Sequence, residues 1–336
     1  MNALIRQWVA VFVVICFTGG CATQPAAKLQ ADPGSPDNES RCTPPPDLPR
    51  IITTELPPDM GQTPRQKEPP ALPGFSPHAV SIAHIIGVEG LLAKLGALEA
   101  EQARGRDVHI ALLEVRQQLS DRLLLVSLDI ASASAEINCR KERTDQLGDR
   151  LEQQRDTRVS QLTISAIIGG AIIGIMSGGL AIAGEATAAG AGAISGGVFE
   201  TILGSMALTY EARHDFSHRR NVLREVWEVP DQSTIFPLSV WRYLNFPTID
   251  PRVHGSMREE IVQQWREAGR LGEPGTETEQ KRIALFFGEG GTYSMEELRD
   301  RSAMLDLLRS HIDLMTQDLN LLIRELLVSE GARPAP

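Results

Sequence analysis

Apolar residues recur every seventh position over residues 106–158: Leu112, Leu119, Val126, Ala133 and Leu147 in one row, Leu123, Ile130, Ile137 and Leu151 in a second. Such spacing keeps one stripe turned toward a neighbouring helix, so it predicts a single helix of about 80 Å at 1.5 Å per residue. Arg140, Thr144, Gln154 and Arg158 interrupt the stripe and Gly148 weakens it, which predicts a more solvated final stretch. The same device closes the chain. Ser294 with Glu297 three places on forms a capping box. Leu298, Leu305, Ile312, Leu319 and Leu326 then alternate with Leu308, Met315 and Leu322, predicting a helix over residues 295–329. The two long helices are expected to pack on each other or on copies of themselves.

Between them the pattern predicts a shorter helix over residues 211–227, a proline-interrupted stretch over 229–254 and a helix opened by Ser256 with Glu259. Trp227, Trp241 and Trp265 all fall here, which suggests a compact knot with its own core; an exposed partner surface is the alternative. Helical patterning begins only after Pro77, and Gly105 is expected to interrupt it. Residues 22–77 hold 14 of the 21 prolines, including Pro44-Pro45-Pro46, Pro57-Pro58 and Pro69-Pro70. Proline removes donors and fixes φ, so an extended spacer is expected, with a P-x-x-P partner site as the alternative.

At the N-terminus, Arg6 precedes ten apolar residues, 8–17, and then Thr18-Gly19-Gly20-Cys21. The apolar run is too short for ~30 Å of hydrocarbon and fits the h-region of an export signal. These residues resemble a lipobox, departing from it at Thr18, where Leu is usual. The resemblance implies a bacterial lipoprotein: residues 1–20 removed, Cys21 acylated, and, with Ala22 rather than Asp following, sorting to the outer membrane of a Gram-negative cell, facing the periplasm. Two or more acyl chains anchor stably where one does not. An ordinary secretory signal with an incidental Cys21 is the alternative. Loss of Cys16 and acylation of Cys21 would leave Cys42 and Cys139, a pair that an oxidising compartment can bridge as a disulfide or leave as two separate thiols.

Residues 159–184 carry no charge, and after Glu185 apolar runs continue over 186–199 and 201–210. Each half has the length of a bilayer crossing, about 20 residues, and Gly190-Ala191-Gly192 can turn between them. Gly170, Gly174 and Gly178 recur every fourth residue, and Gly192, Gly196 and Gly204 keep that register, with Glu200 in the skipped place. Glycines so placed let helix backbones approach closely. The segment resembles the glycine-zipper hairpin of a group of outer-membrane lipoproteins, and the resemblance implies two embedded spans that promote oligomers. Arg150, Arg155 and Arg158 precede it and Arg213, Arg219 and Arg220 follow, as basic collars for lipid headgroups. A carboxylate at Glu200 would cost on the order of 2–3 kcal/mol in a span, so it is either a protonated interface residue or an acid lining a pore. A glycine-rich helix pair buried in a soluble bundle is the competing expectation.

Aromatic residues make up only 5% of the 336 positions, and Leu, Ile, Val and Ala supply the apolar mass, which favours an all-α class built as a long-helix bundle or coiled coil. A formal charge of −10 leaves no broad cationic field for nucleic acid. His214-Asp215-Phe216-Ser217-His218 would set two imidazoles on one helical face, as a zinc helix does, but no third ligand follows from spacing. Gly288-Glu289-Gly290-Gly291-Thr292 lacks the lysine of a phosphate loop and is expected to end one helix and lead into the Ser294 cap. No cofactor motif or catalytic constellation stands out. The expected organisation is a signal peptide (1–20), a tether (21–77), a long helical segment (78–160), the hairpin (161–210) and a helical C-terminal region (211–330). The expected role is structural, scaffolding or oligomer-forming in the envelope, through lipid, further copies or an envelope protein partner. An α-helical pore former is the alternative, and a zinc metallohydrolase a more distant one.

Overall fold

The computed structural model describes residues 40–43, 72–182, 201–202, 205–206, 208–247 and 255–331. A single 3-10 turn, Ser40–Cys42, is followed by α1 (Pro77–Ile86), α2 (Glu89–Gln102), α3 (His109–Ile182), β1 (Arg213–Ser217), α4 (Val222–Glu228), α5 (Leu238–Asn245), α6 (Met257–Glu267), α7 (Glu277–Phe287), β2 (Gly290–Ser294) and α8 (Met295–Gly331). The chain is therefore mostly helical, with one small sheet that the all-α expectation lacked.

The heptad rows account for the frame. Leu112, Leu119, Val126, Ile130, Ala133, Ile137, Leu147 and Leu151 are buried along α3, and Leu298, Leu305, Leu308, Ile312, Met315, Leu319 and Leu322 along α8. The two helices run antiparallel: Arg299 meets Glu152 at 3.0 Å, and ten residues further along α8 Arg309 donates to Asn138. Ser294 and Glu297 make both bonds of the capping box that starts α8. Gly105, at φ 79°, breaks the chain between α2 and α3. Helix α1 lies on the far end of α8, where Glu325 accepts from the Ser76 amide and hydroxyl at 2.8 and 2.6 Å, and Asp318 meets His78 at 2.7 Å.

Two expectations for α3 change. Arg140 and Thr144 do not open the stripe to solvent; both are buried, while Gln154 and Arg158 are exposed. Glu136, one turn before Arg140, receives its guanidinium at 2.8 Å and also that of Arg220 at 2.9 Å, so a carboxylate neutralises charge where the apolar pattern lapses. The tryptophans do not form a separate knot. Trp241 and Trp265 are buried in the same core as the long helices, and Trp227 stacks on Phe287 at 4.5 Å.

Residues 211–227 are not one helix. β1 pairs antiparallel with β2, Arg213 opposite Ser294 and Ser217 opposite Gly290, and α4 begins only after Asn221, whose side chain caps it. The glycine-rich loop expected before Ser294 is thus strand β2. A Cβ on Gly290 would lie 2.1 Å from the Phe216 carbonyl oxygen, at φ 106°, so this close strand approach requires glycine.

Cys42 and Cys139 form a disulfide with Cα atoms 5.5 Å apart, closing 97 residues of sequence. Closing a loop of that size removes about 4–5 kcal/mol of denatured-state entropy. Reduction, or Cys139→Ser, should lower the unfolding free energy by up to that amount in urea titrations, and reductant should then leave the variant unchanged. Glu136→Ala strips a buried carboxylate from two guanidinium groups and should destabilise by about 3–5 kcal/mol, read as a fall in the urea midpoint at constant slope.

Candidate membrane-facing segment

The buried stripe of α3 ends at Leu151; no residue between 152 and 175 is buried, although the helix continues to Ile182. After Arg158 this projecting end carries no charge, and its 24 residues to Ile182 span about 36 Å, more than the ~30 Å of a hydrocarbon core. Ile164, Ile167, Ile168, Ile172 and Ile175 lie exposed along it. On the returning chain so do Ile202, Met206 and Leu208, the last at 85%. Eight such side chains left in water represent roughly 10 kcal/mol of transfer free energy. By length and composition α3 can cross a membrane, and the apolar window lies wholly outside the folded interior. Burial of this stretch in a soluble bundle, the competing expectation, does not hold for the described residues.

Three hydroxyl groups in the segment bond within its own helical backbone. Thr163 donates to the Val159 carbonyl at 2.8 Å, Ser205 to Ile202 at 2.8 Å and Thr209 to Ser205 at 3.0 Å. Internal satisfaction is what a hydrocarbon environment demands of polar groups.

The chain leaves the body and returns to it at one place. Glu152 marks departure, held by Arg299 near the start of α8. Return comes through Tyr210, packed on the core, buried Ala212, and Arg213 paired with Ser294 immediately before α8. Entry and exit at a common end are the boundary conditions of a hairpin. Gly170 is half-buried and Gly174 exposed; the surroundings of Gly178 lie outside the described residues, as do Gly192, Gly196, Glu200 and Gly204, and as does Cys21.

The basic collars are unequal. Arg155 and Arg158 are exposed where α3 departs. On the return side Arg213 pairs with Glu211 at 2.9 Å, and Arg220 is turned inward, bonding Glu136 and the carbonyls of Thr234 and Ile235. Its role is structural, set by the fold that brings Glu136 and the 234–235 carbonyls to it, whereas sequence position alone groups it with its neighbours.

The paired histidines do not share a helical face. His214 lies within β1 and His218 just beyond it, so four residues separate them by about 13 Å of extended chain, against about 6 Å on a helix; one metal ion cannot join them. His218 is buried beside Phe216 and Tyr293, with Nε2 2.8 Å from the Tyr293 hydroxyl. That hydroxyl donates to the Leu285 carbonyl, so Nε2 carries the proton and Nδ1, which has no partner, does not. Burial, then the Arg301 guanidinium, push its pKa down to about 2. Among the described residues no group of three metal-ligating side chains converges.

No protein-family model matches this chain, and no curated protein and no solved structure matches it.

His218 stays neutral in the fold but protonates in the unfolded chain below its ordinary value near 6.5. Its contribution is therefore complete above pH 6.5 and is lost as the pH falls toward 2. Between pH 7 and 5 the protein should lose about 2 kcal/mol more stability than His218→Asn, at up to 1.36 kcal/mol per unit. Urea midpoints of the two proteins at both pH values measure the difference.

Proposed function

We propose that this chain is an acylated lipoprotein of the bacterial outer membrane with a structural, scaffolding or oligomer-forming role, in which a helical body stands on the membrane and the 161–210 hairpin enters it. The observation that carries the reading is the projecting end of α3, apolar, uncharged and unburied, whose chain departs and returns beside the start of α8. A soluble protein has no use for that much exposed isoleucine, and a hairpin entering a bilayer needs it. The disulfide supports an oxidising compartment, and the exposed Arg155 and Arg158 suit headgroups at the base of the span. Acylation of Cys21 would supply a second, independent attachment. The long helices, joined side by side, act as a rigid pillar of coiled-coil character rather than as an enzyme's pocket.

Membrane fractions prepared from cells making the wild type or Cys21→Ser, each with and without an alkaline wash, test both attachments. Both proteins should stay with the membrane through the wash, and mass spectrometry should find acyl chains on Cys21 of the wild type. A Cys21→Ser protein that is wholly soluble would remove the hairpin from the reading, and an unmodified Cys21 thiol would remove the acyl anchor. Dye release from liposomes by purified protein, lost in Gly174→Leu, would instead make the hairpin a pore.

A further inference from the structure

Helix α3 carries a second unpartnered apolar face, at its other end. Ile110, Leu113, Leu124 and Leu128 are 73%, 53%, 60% and 58% exposed. At 100° per residue all four lie within about 60° of one another, opposite the stripe of Leu112, Leu119, Val126 and Ile130 that faces the core. From Ile110 the spacing is three and four: Ile110, Leu113, Gln117, Ser120, Leu124, Ser127, Ala131, with small serines at two of the three d positions. That is the seam of a two-stranded coiled coil, displaced toward Leu128 as a straight helix drifts about 20° per heptad.

We infer that this face pairs with the same face of a second copy, the two α3 helices parallel and in register. The flanking charges choose that arrangement. With Ile110, Gln117 and Leu124 at position a, His109 and Arg116 occupy g, and Glu114 and Asp121 occupy e. A parallel pair sets each g residue against the e residue five places on in the second copy. His109 then faces Glu114, and Arg116, which already reaches Glu99 at 3.3 Å in its own chain, faces Asp121. An antiparallel pair would set e against e, and so carboxylate against carboxylate. Gln117, bonded to Asp121 at 2.7 Å on the exposed surface, supplies the polar a layer that fixes register at some cost in affinity. Over the residues 110–131 the seam is about 30 Å long. Four aliphatic side chains from each copy, at on the order of 100 Å² apiece, with the flanking groups bring it to the low end of the roughly 1,200–2,000 Å² that specific interfaces bury. The inference does not rest on the membrane reading, since the face lies on the folded body; two bodies standing on one membrane would nonetheless present it in the required parallel sense.

The test uses the full-length protein in detergent carrying Gln117→Cys or, one residue off the seam, Gln118→Cys. Mild oxidation should crosslink position 117 at least tenfold more than 118 on a non-reducing gel. Leu113→Asp or Asp121→Arg in the Gln117→Cys protein should abolish the crosslink, and Arg116→Asp together with Asp121→Arg should restore it. All these side chains are exposed, so far-UV circular dichroism at 25 °C should show every variant folded like the parent. Persistence of the crosslink in Gly174→Leu would separate this face from any hairpin association. Equal crosslinking at 117 and 118, a crosslink indifferent to Leu113→Asp, or a monomer at tens of micromolar protein would overturn the inference.

Discussion

The fold depends on one seam, where the apolar face of α3 closes against α8, and on the fact that its two sides are of unequal length. α3 has 74 residues and α8 has 37. Antiparallel packing can therefore bury only part of α3. Where α8 begins, at its Ser294 cap, burial along α3 stops at Leu151. Everything beyond must find another environment. Held only by its own hydrogen bonds and rich in glycine and isoleucine, the stretch has weak intrinsic helix propensity, and its isoleucines make it worse in water and better in lipid. The mismatch, more than any single residue, turns a helical body into one with a projecting apolar arm.

Polar groups inside the seam do different work. Glu136 carries two guanidinium groups, one from its own helix and one from the loop between β1 and α4. Burial of such a triad adds little net stability, but it ties the returning chain to α3 at one register. Asn221 acts similarly on the other side: its amide donates to the Phe286 and Gly288 carbonyls while its oxygen caps α4 and accepts from Arg301. Both devices anchor the point of return. The β1–β2 pair sits between them, so the place where the arm re-enters is bonded on both sides.

The long elements were readable in the sequence because their information is periodic. A row such as Leu298, Leu305, Ile312 and Leu319 repeats its message each heptad, and the Ser294 and Glu297 cap states where it starts. Cys42 and Cys139 were readable by elimination, although only the fold could bring them within bonding reach. The misread parts are those where the message is non-local. Five residues of β1 form a strand only because β2 lies 77 positions on, opposite Gly290, and nothing in His214-Asp215-Phe216 by itself rejects a helix. Arg140 looked like a break in the stripe because its neutralising partner had to be weighed with Arg220, 80 positions away. The apolar, uncharged character of the arm was legible as composition, and the common place where the chain leaves and rejoins the body only as structure.

The disulfide links these themes mechanically. Cys139 lies 20 residues before Val159, so the tether is fastened to α3 about 30 Å from the start of the uncharged arm. Between Cys21 and Cys42 the chain can reach at most about 70 Å. Without the bridge, the first fixed point would be Leu72, buried near the start of α1, and the reach would grow to about 170 Å. Bridging thus shortens the leash more than twofold, and an acyl group, were Cys21 to carry one as proposed, would be held nearer the surface that the arm would enter. Under the proposed function, two attachments on so short a leash would act on one bilayer together, each raising the effective concentration of the other. Cooperation of that kind would give a use to the Cys42–Cys139 bridge, which takes the residues between Cys42 and Leu72 out of the reach of Cys21.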